Sequence, residues 1–136
     1  MVIPITMKKR VTGLGGVFFK SRDPEAIKSW YKKHLHIDTG EYGAVFKWRH
    51  SDQPKKEGST AWSPFPEDTS YYQPSKKDFM FNYRVENLDE LLKVLRAEGV
   101  EIIGEVEEYS YGKFGWIMDP EGNKIELWEP LDESSF

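Results

Sequence analysis

Apolar residues in this chain recur with two periods, and each change of period marks a new element. Val17-Phe18-Phe19-Lys20 is a short, mostly apolar run suited to a strand. Ile27, Trp30, Tyr31 and then His34 or Leu35 follow at three-and-four spacing, the stripe of an amphipathic helix. Asp23 can cap that helix, and Pro24 suits its first position. The same order returns later, with Phe81-Asn82-Tyr83-Arg84 as a strand, Asn87 as a cap, and Leu88, Leu91, Leu92 and Leu95 as a second helical stripe. Gly99 then ends the helix as a C-terminal glycine does. Further strands are expected over 44–49 and 60–63 after the first helix, and over 100–107, 116–118 and 124–128 after the second.

Displacing the chain against itself by 64 positions (17 onto 81) superposes the two halves. Val17-Phe18-Phe19-Lys20 falls on Phe81-Asn82-Tyr83-Arg84, and Ile27, Trp30 and Tyr31 fall on Leu91, Val94 and Leu95. Each half reads as strand–helix–strand–strand–strand. A unit of about 50 residues is marginal alone, so the two should share one core. The expected organisation is an N-terminal extension over 1–12, one domain over 13–130 and a tail over 131–136. Within the domain, 13–64 form the first module, the proline-containing stretch 65–77 the linker, and 78–130 the second module.

The stretch 116–129, WIMDPEGNKIELWE, is the most informative. Asp119-Pro120-Glu121-Gly122-Asn123 has turn chemistry, with Pro120 fixing φ and Gly122 tolerating positive φ. Alternation after the turn puts Lys124, Glu126 and Trp128 on one face and Ile125 and Leu127 on the other. If Ile125 and Leu127 pack on the core, Glu126 stands beside a tryptophan on the opposite face. It is then either a ligand-facing carboxylate or an ordinary solvated one.

Composition narrows the classes. A net charge of −4 argues against a nucleic-acid protein, and the absence of cysteine removes disulfides, thiolate metal sites and cysteine nucleophiles. No apolar run approaches the roughly 20 residues of a membrane span. Cytoplasmic residence is the expectation. The outlier is aromatic content, with 5 Trp, 7 Tyr and 8 Phe, which suits either an aromatic core or a pocket for planar ligands. The Gly13–Gly16 cluster precedes the strand, so it is no dinucleotide fingerprint and reads as an entry allowing close backbone approach.

The duplicated order, together with GWIMDPEGNKIELWEP and the strand–Asp-Pro-Glu–helix opening followed by WYKKHL, resembles the vicinal oxygen chelate superfamily of glyoxalase I, bleomycin-resistance proteins and extradiol dioxygenases. The resemblance covers residues 13–130. It implies an α+β fold of two βαβββ modules, a mixed sheet curled into a partly open, U-shaped barrel around a cavity, and commonly a homodimer. It also implies a divalent metal held by side chains from the first and last strands of each module. Glu126 matches the final-strand carboxylate, and the 64-residue offset puts the other family positions at Gly16, Trp62 and Met80. Glycine and tryptophan offer no acceptor, and a thioether suits soft metals, so no divalent metal is expected unless that register is wrong. His34 and His36 at the first helix end, and His50 beside a loop, lie apart from those positions.

The resulting expectation is a metal-free protein that binds a small aromatic or amphipathic molecule, with no nucleic-acid or membrane partner. Phe18, Lys20, Trp62, Met80, Asn82, Arg84, Lys124 and Trp128 are the candidate ligand-binding residues, with Trp48, Trp62 and Trp116 able to close the cavity. Lys20 and Arg84 could meet an anionic group. Glu126 is the candidate catalytic residue, a lone base able to remove a proton next to a carbonyl. Two alternatives stay open: a metal-dependent lyase, isomerase or dioxygenase of the glyoxalase type, and a metal-independent isomerase using Glu126.

Overall fold

The computed structural model describes residues 9–131; residues 1–8 and 132–136, parts of the expected extension and tail, lie outside the described residues. Its elements run β1 (Val11–Ser21), α1 (Pro24–Leu35), β2 (Ala44–Arg49), β3 (Glu57–Pro66), β4 (Phe79–Val85), α2 (Leu88–Ala97), β5 (Glu101–Tyr109), β6 (Gly112–Met118) and β7 (Lys124–Pro130). The strands form one mixed, unclosed sheet in the order β2-β3-β1-β4-β7-β6-β5. β1 and β4 pair antiparallel at its centre, and each pairs in parallel with the last strand of its own module, β3 or β7. This is the α+β arrangement of two modules sharing one sheet that the sequence led us to expect. The first module carries two strands after its helix where three are expected; between α1 and β2 there is only an isolated bridge, Gly40 to Gly43.

Local chemistry sets the boundaries. Asp23 caps α1 by accepting from the Ala26 N–H at 3.0 Å, and Asn87 caps α2 by accepting from the Glu90 N–H at 3.2 Å. The 119–123 turn forms as its residues dictate. Asp119 Oδ1 accepts from the Glu121 and Asn123 N–H groups, both at 2.9 Å, and Gly122 takes a φ of 83°.

The helices differ in how they pack. Leu88, Leu91 and Leu92 of α2 are buried with Val85 and Leu127, and Leu95, Ile117 and Ile125 pack around them. The outer face of β7 therefore belongs to the core, which commits Glu126 to the inner face. The stripe expected on α1 is not buried in the same way. Trp30 is 50% and Leu35 57% exposed, whereas Lys28 turns inward and donates to Glu25 and to the Glu41 carbonyl. Trp30 stacks on its helical neighbours Tyr31 and His34 instead.

The glycine cluster also differs from expectation, since it lies inside β1. A Cβ on Gly15 would stand 2.1 Å from Asn82 Oδ1, and one on Gly16 would stand 2.7 Å from the Phe18 ring. These glycines let the inner face of β1 lie against its neighbours.

Candidate functional site

The inner face of the sheet encloses a cavity of about 560 Å³. Small residues line its β1–β3 side: Gly15, Ser59 and Ala61. Aromatic rings stand around them, namely Phe18, Tyr42, Tyr111, Phe114 and Trp128. Lys47 and Val45 come from β2, and Asn82 and Glu126 from the adjacent strands β4 and β7.

Glu126 is only 3% exposed, and three donors converge on its carboxylate. Asn82 Nδ2 donates to Oε1 at 2.6 Å, Trp116 Nε1 donates to Oε2 at 3.0 Å, and the Tyr71 hydroxyl donates to Oε2. Register explains part of this. Asn82 is paired directly with Glu126 across β4–β7, and Trp116 with Glu126 across β6–β7, so strand pairing alone brings three side chains together. Tyr71 arrives from the inter-module segment. Burial, and then the charge of Glu126, push its phenol well above the ordinary range, so it stays a donor. Burial also pulls the Lys124 ammonium down; its Nζ donates to the Tyr71 carbonyl at 2.8 Å and lies over the Tyr71 and Trp116 rings.

Of the residues the sequence nominated, Phe18, Asn82, Glu126 and Trp128 line the cavity. Met80 shares their sheet face but is fully buried among Phe18, Tyr72 and Trp116. Arg84 is closed off between Trp48 and Trp128, with its guanidinium 5.6 and 4.8 Å from their rings and a bond to Ser59 Oγ at 3.3 Å. Lys20 reaches over the ring of Tyr72, and Lys124 is turned to the Tyr71 carbonyl; neither contributes to the lining. Trp62 sits on the opposite face, against Phe19 and Tyr31. Trp116 lies behind the carboxylate and Trp48 beside Arg84, so none of the three tryptophans expected to close the cavity is in its lining.

The facing of Trp62 follows from register. Val17 pairs with Trp62, a separation of 45 (62 − 17), whereas Phe81 pairs with Ile125, a separation of 44 (125 − 81). The offset that relates the first strands is thus one too long for the last strands. One residue exchanges the faces of a strand. The row that contains Glu126 runs Ala61–Gly16–Asn82–Glu126 across four strands. These residues do not fit a divalent metal. Ala61 and Gly16 have no donor atoms, and three hydrogen bonds already converge on the Glu126 carboxylate. Among the described residues no group of three or more His, Cys, Asp or Glu could hold a metal ion.

Sequence reasoning overlooked Tyr71, Tyr42, Lys47, Tyr111 and Phe114. Phe114 could have been found by extending alternation back from Trp116 along β6. Tyr71 carries no local signal, because it lies in a segment without periodicity.

The family model described as Glyoxalase/Bleomycin resistance protein/Dioxygenase superfamily matches residues 14–127, and the chain belongs to that superfamily. Solved structures share the fold. Methylmalonyl-CoA epimerase from Mycobacterium tuberculosis is 19% identical with a TM-score of 0.60, over 96% of each chain. A variant of the Streptomyces coelicolor methylmalonyl-CoA epimerase in complex with 2-nitronate-propionyl-CoA is 14% identical with a TM-score of 0.67, over 90% of this chain and 99% of that one. A superfamily member from Vibrio splendidus 12B01 is 12% identical with a TM-score of 0.53, over 85% of this chain and 98% of that one. No curated protein matches the chain in sequence. Among the described residues no helix is long and apolar enough to cross a membrane.

Proposed function

We propose that this protein is a metal-independent binding member of its superfamily that encloses a flat, largely apolar small molecule. The observation that carries the reading is the cavity itself: about 560 Å³, walled by aromatic rings, with one buried carboxylate held by three neutral donors. That volume lies in the range of small-molecule sites, and aromatic walls with a few fixed polar groups are their usual construction. An isomerase reading draws less support. Three of the roughly four acceptor positions of Glu126 are taken, so little of the carboxylate is left to receive a substrate proton. Exposed apolar residues outside the cavity, Trp30 and Leu35 on α1, support a homodimer, to be checked by light scattering.

The test is thermal denaturation of the purified protein against a panel of planar aromatic and amphipathic compounds, with elemental analysis alongside. Saturable stabilisation without stoichiometric metal is expected. Tightly held zinc or nickel at one ion per chain would overturn the reading in favour of a metal-dependent lyase or dioxygenase. A panel that shifts nothing would also overturn it.

A further inference from the structure

We propose that the cavity selects a ligand carrying a positively charged nitrogen, a protonated or quaternary amine on an aromatic or aliphatic frame, and directs that charge to Glu126. The proposal rests on the binding reading above and narrows its ligand class.

Two charged residues line the cavity, Lys47 and Glu126, and they are not equivalent. Lys47 is exposed on β2, so its ammonium can stay in water while its stem contributes to the wall. Glu126 cannot leave. Its neighbours fix it from three sides, and all three donors are neutral groups. It forms no ion pair with any described residue. Neither nearby basic residue forms an ion pair with it: Arg84 bonds Ser59 between two indoles, and Lys124, which feels the charge of Glu126 through space, donates to the Tyr71 carbonyl. A buried carboxylate satisfied only by neutral donors gains from a cation brought to it in a desolvated site.

The walls favour the same charge. Phe18, Tyr42 and Tyr111 bring aromatic rings to the cavity, and the negative face of such a ring attracts a cation, whereas the Trp128 ring is already stacked on Phe114 and lies against the Arg84 guanidinium. An anion would meet those rings and Glu126 together. The basic residues expected to greet an anion, Lys20 and Arg84, do not line the space. Bonds, burial and wall chemistry therefore agree on the sign of the ligand.

Three probes on one naphthylmethyl frame test the proposal by calorimetric titration: naphthylmethyl-trimethylammonium, its isosteric uncharged carbon analogue neopentylnaphthalene, and the smaller anionic naphthylacetate. The cation should bind on the order of tenfold tighter than the neutral analogue, and the anion weakest. Glu126→Gln should remove most of that advantage, read as the ratio of cation to neutral-probe affinity, since a rotated Asn82 amide can still pair with the new side chain. Equal affinities, an anion preference, or a cation preference that survives in folded Glu126→Gln would overturn the charge assignment but leave the binding reading standing. Failure of all three probes to bind would overturn both. If Glu126→Gln does not fold, the ranking of the three probes on the unaltered protein decides.

Discussion

Two neighbouring tyrosines should respond in opposite directions to the loss of one oxygen atom. The Tyr71 hydroxyl donates to the Glu126 carboxylate, whereas the Tyr72 hydroxyl is buried and has no hydrogen-bond partner among the described residues. Phenylalanine keeps the ring at either position. The stacking of Phe65 on Tyr71, its tilted contact with Tyr72 and the edge contact of Tyr71 with Trp116 would all persist, so the comparison isolates the hydroxyl. A hydrogen bond to a charged group contributes about 1.5–3 kcal/mol when well buried. Tyr71 is 38% exposed, and water can partly replace the lost donor, so Tyr71→Phe should cost about 1–2 kcal/mol. For a domain of this size that is a fall in Tm of about 3–8 °C. Tyr72 is fully buried, and removing an unsatisfied hydroxyl there should leave stability unchanged or raise it by up to about 1 kcal/mol. Urea denaturation followed by tryptophan fluorescence measures both variants. Wild-type stability in Tyr71→Phe, or a larger loss in Tyr72→Phe than in Tyr71→Phe, would refute the assignment of the donor to the carboxylate.

The same phenols set a pH dependence. Burial, followed by the charge of Glu126, raises both above the ordinary 10.0, so above that pH the unfolded chain releases protons that the folded one keeps. The contribution of the two phenols to stability should therefore be constant below about pH 10 and be lost as pH rises beyond it, and the Tyr71→Phe/Tyr72→Phe double variant should flatten that fall in urea midpoints. Met80→Ala empties a fully buried position between Phe18, Tyr72 and Trp116, and should cost about 2–5 kcal/mol in the same assay. Gly112 has a φ of 145°, and a Cβ there would stand 2.6 Å from both the Glu129 carbonyl and Trp128 Nε1. Gly112→Ala should displace Trp128 from the cavity wall, weakening probe binding in calorimetry and destabilising the fold by about 1–3 kcal/mol.

What could be read from the sequence was whatever short-range chemistry decides. The Asp119–Asn123 turn, both helix caps and the leucine stripe of α2 need only a few residues to specify them, and each is formed as expected. The α1 stripe shows the limit. Periodicity identifies an apolar side, but whether this chain covers that side depends on long-range packing, and here Trp30 and Leu35 stay exposed. Trp62 shows another limit. Parity along a strand is inherited from register, and a one-residue difference between the modules turns it from the cavity to α1. Tyr71 was hidden because a donor that reaches Glu126 across 55 positions leaves no periodic trace.

Duplication makes two equivalent places on the inner face, and they have been built differently. The antiparallel pair at the sheet centre sets Gly16 opposite Asn82 and Phe18 opposite Met80, and the 64-residue offset exchanges one pair for the other. In the second pair both members are large and pack with Tyr72 and Trp116, and of the two only Phe18 also reaches the cavity. In the first, one member has no side chain, Ala61 continues the gap on β3, and Asn82 passes the row on to Glu126. The hollow thus lies where small residues leave volume, and its one fixed charge stands at the end of that row. The Phe18 ring already fills the space beside Gly16, so the open volume lies next to Gly15, Ser59 and Ala61, and Glu126 faces it there. The asymmetry between the packed cluster around Met80 and the small residues Gly15, Ser59 and Ala61 is therefore what leaves a repeated fold with a single cavity and a charged end.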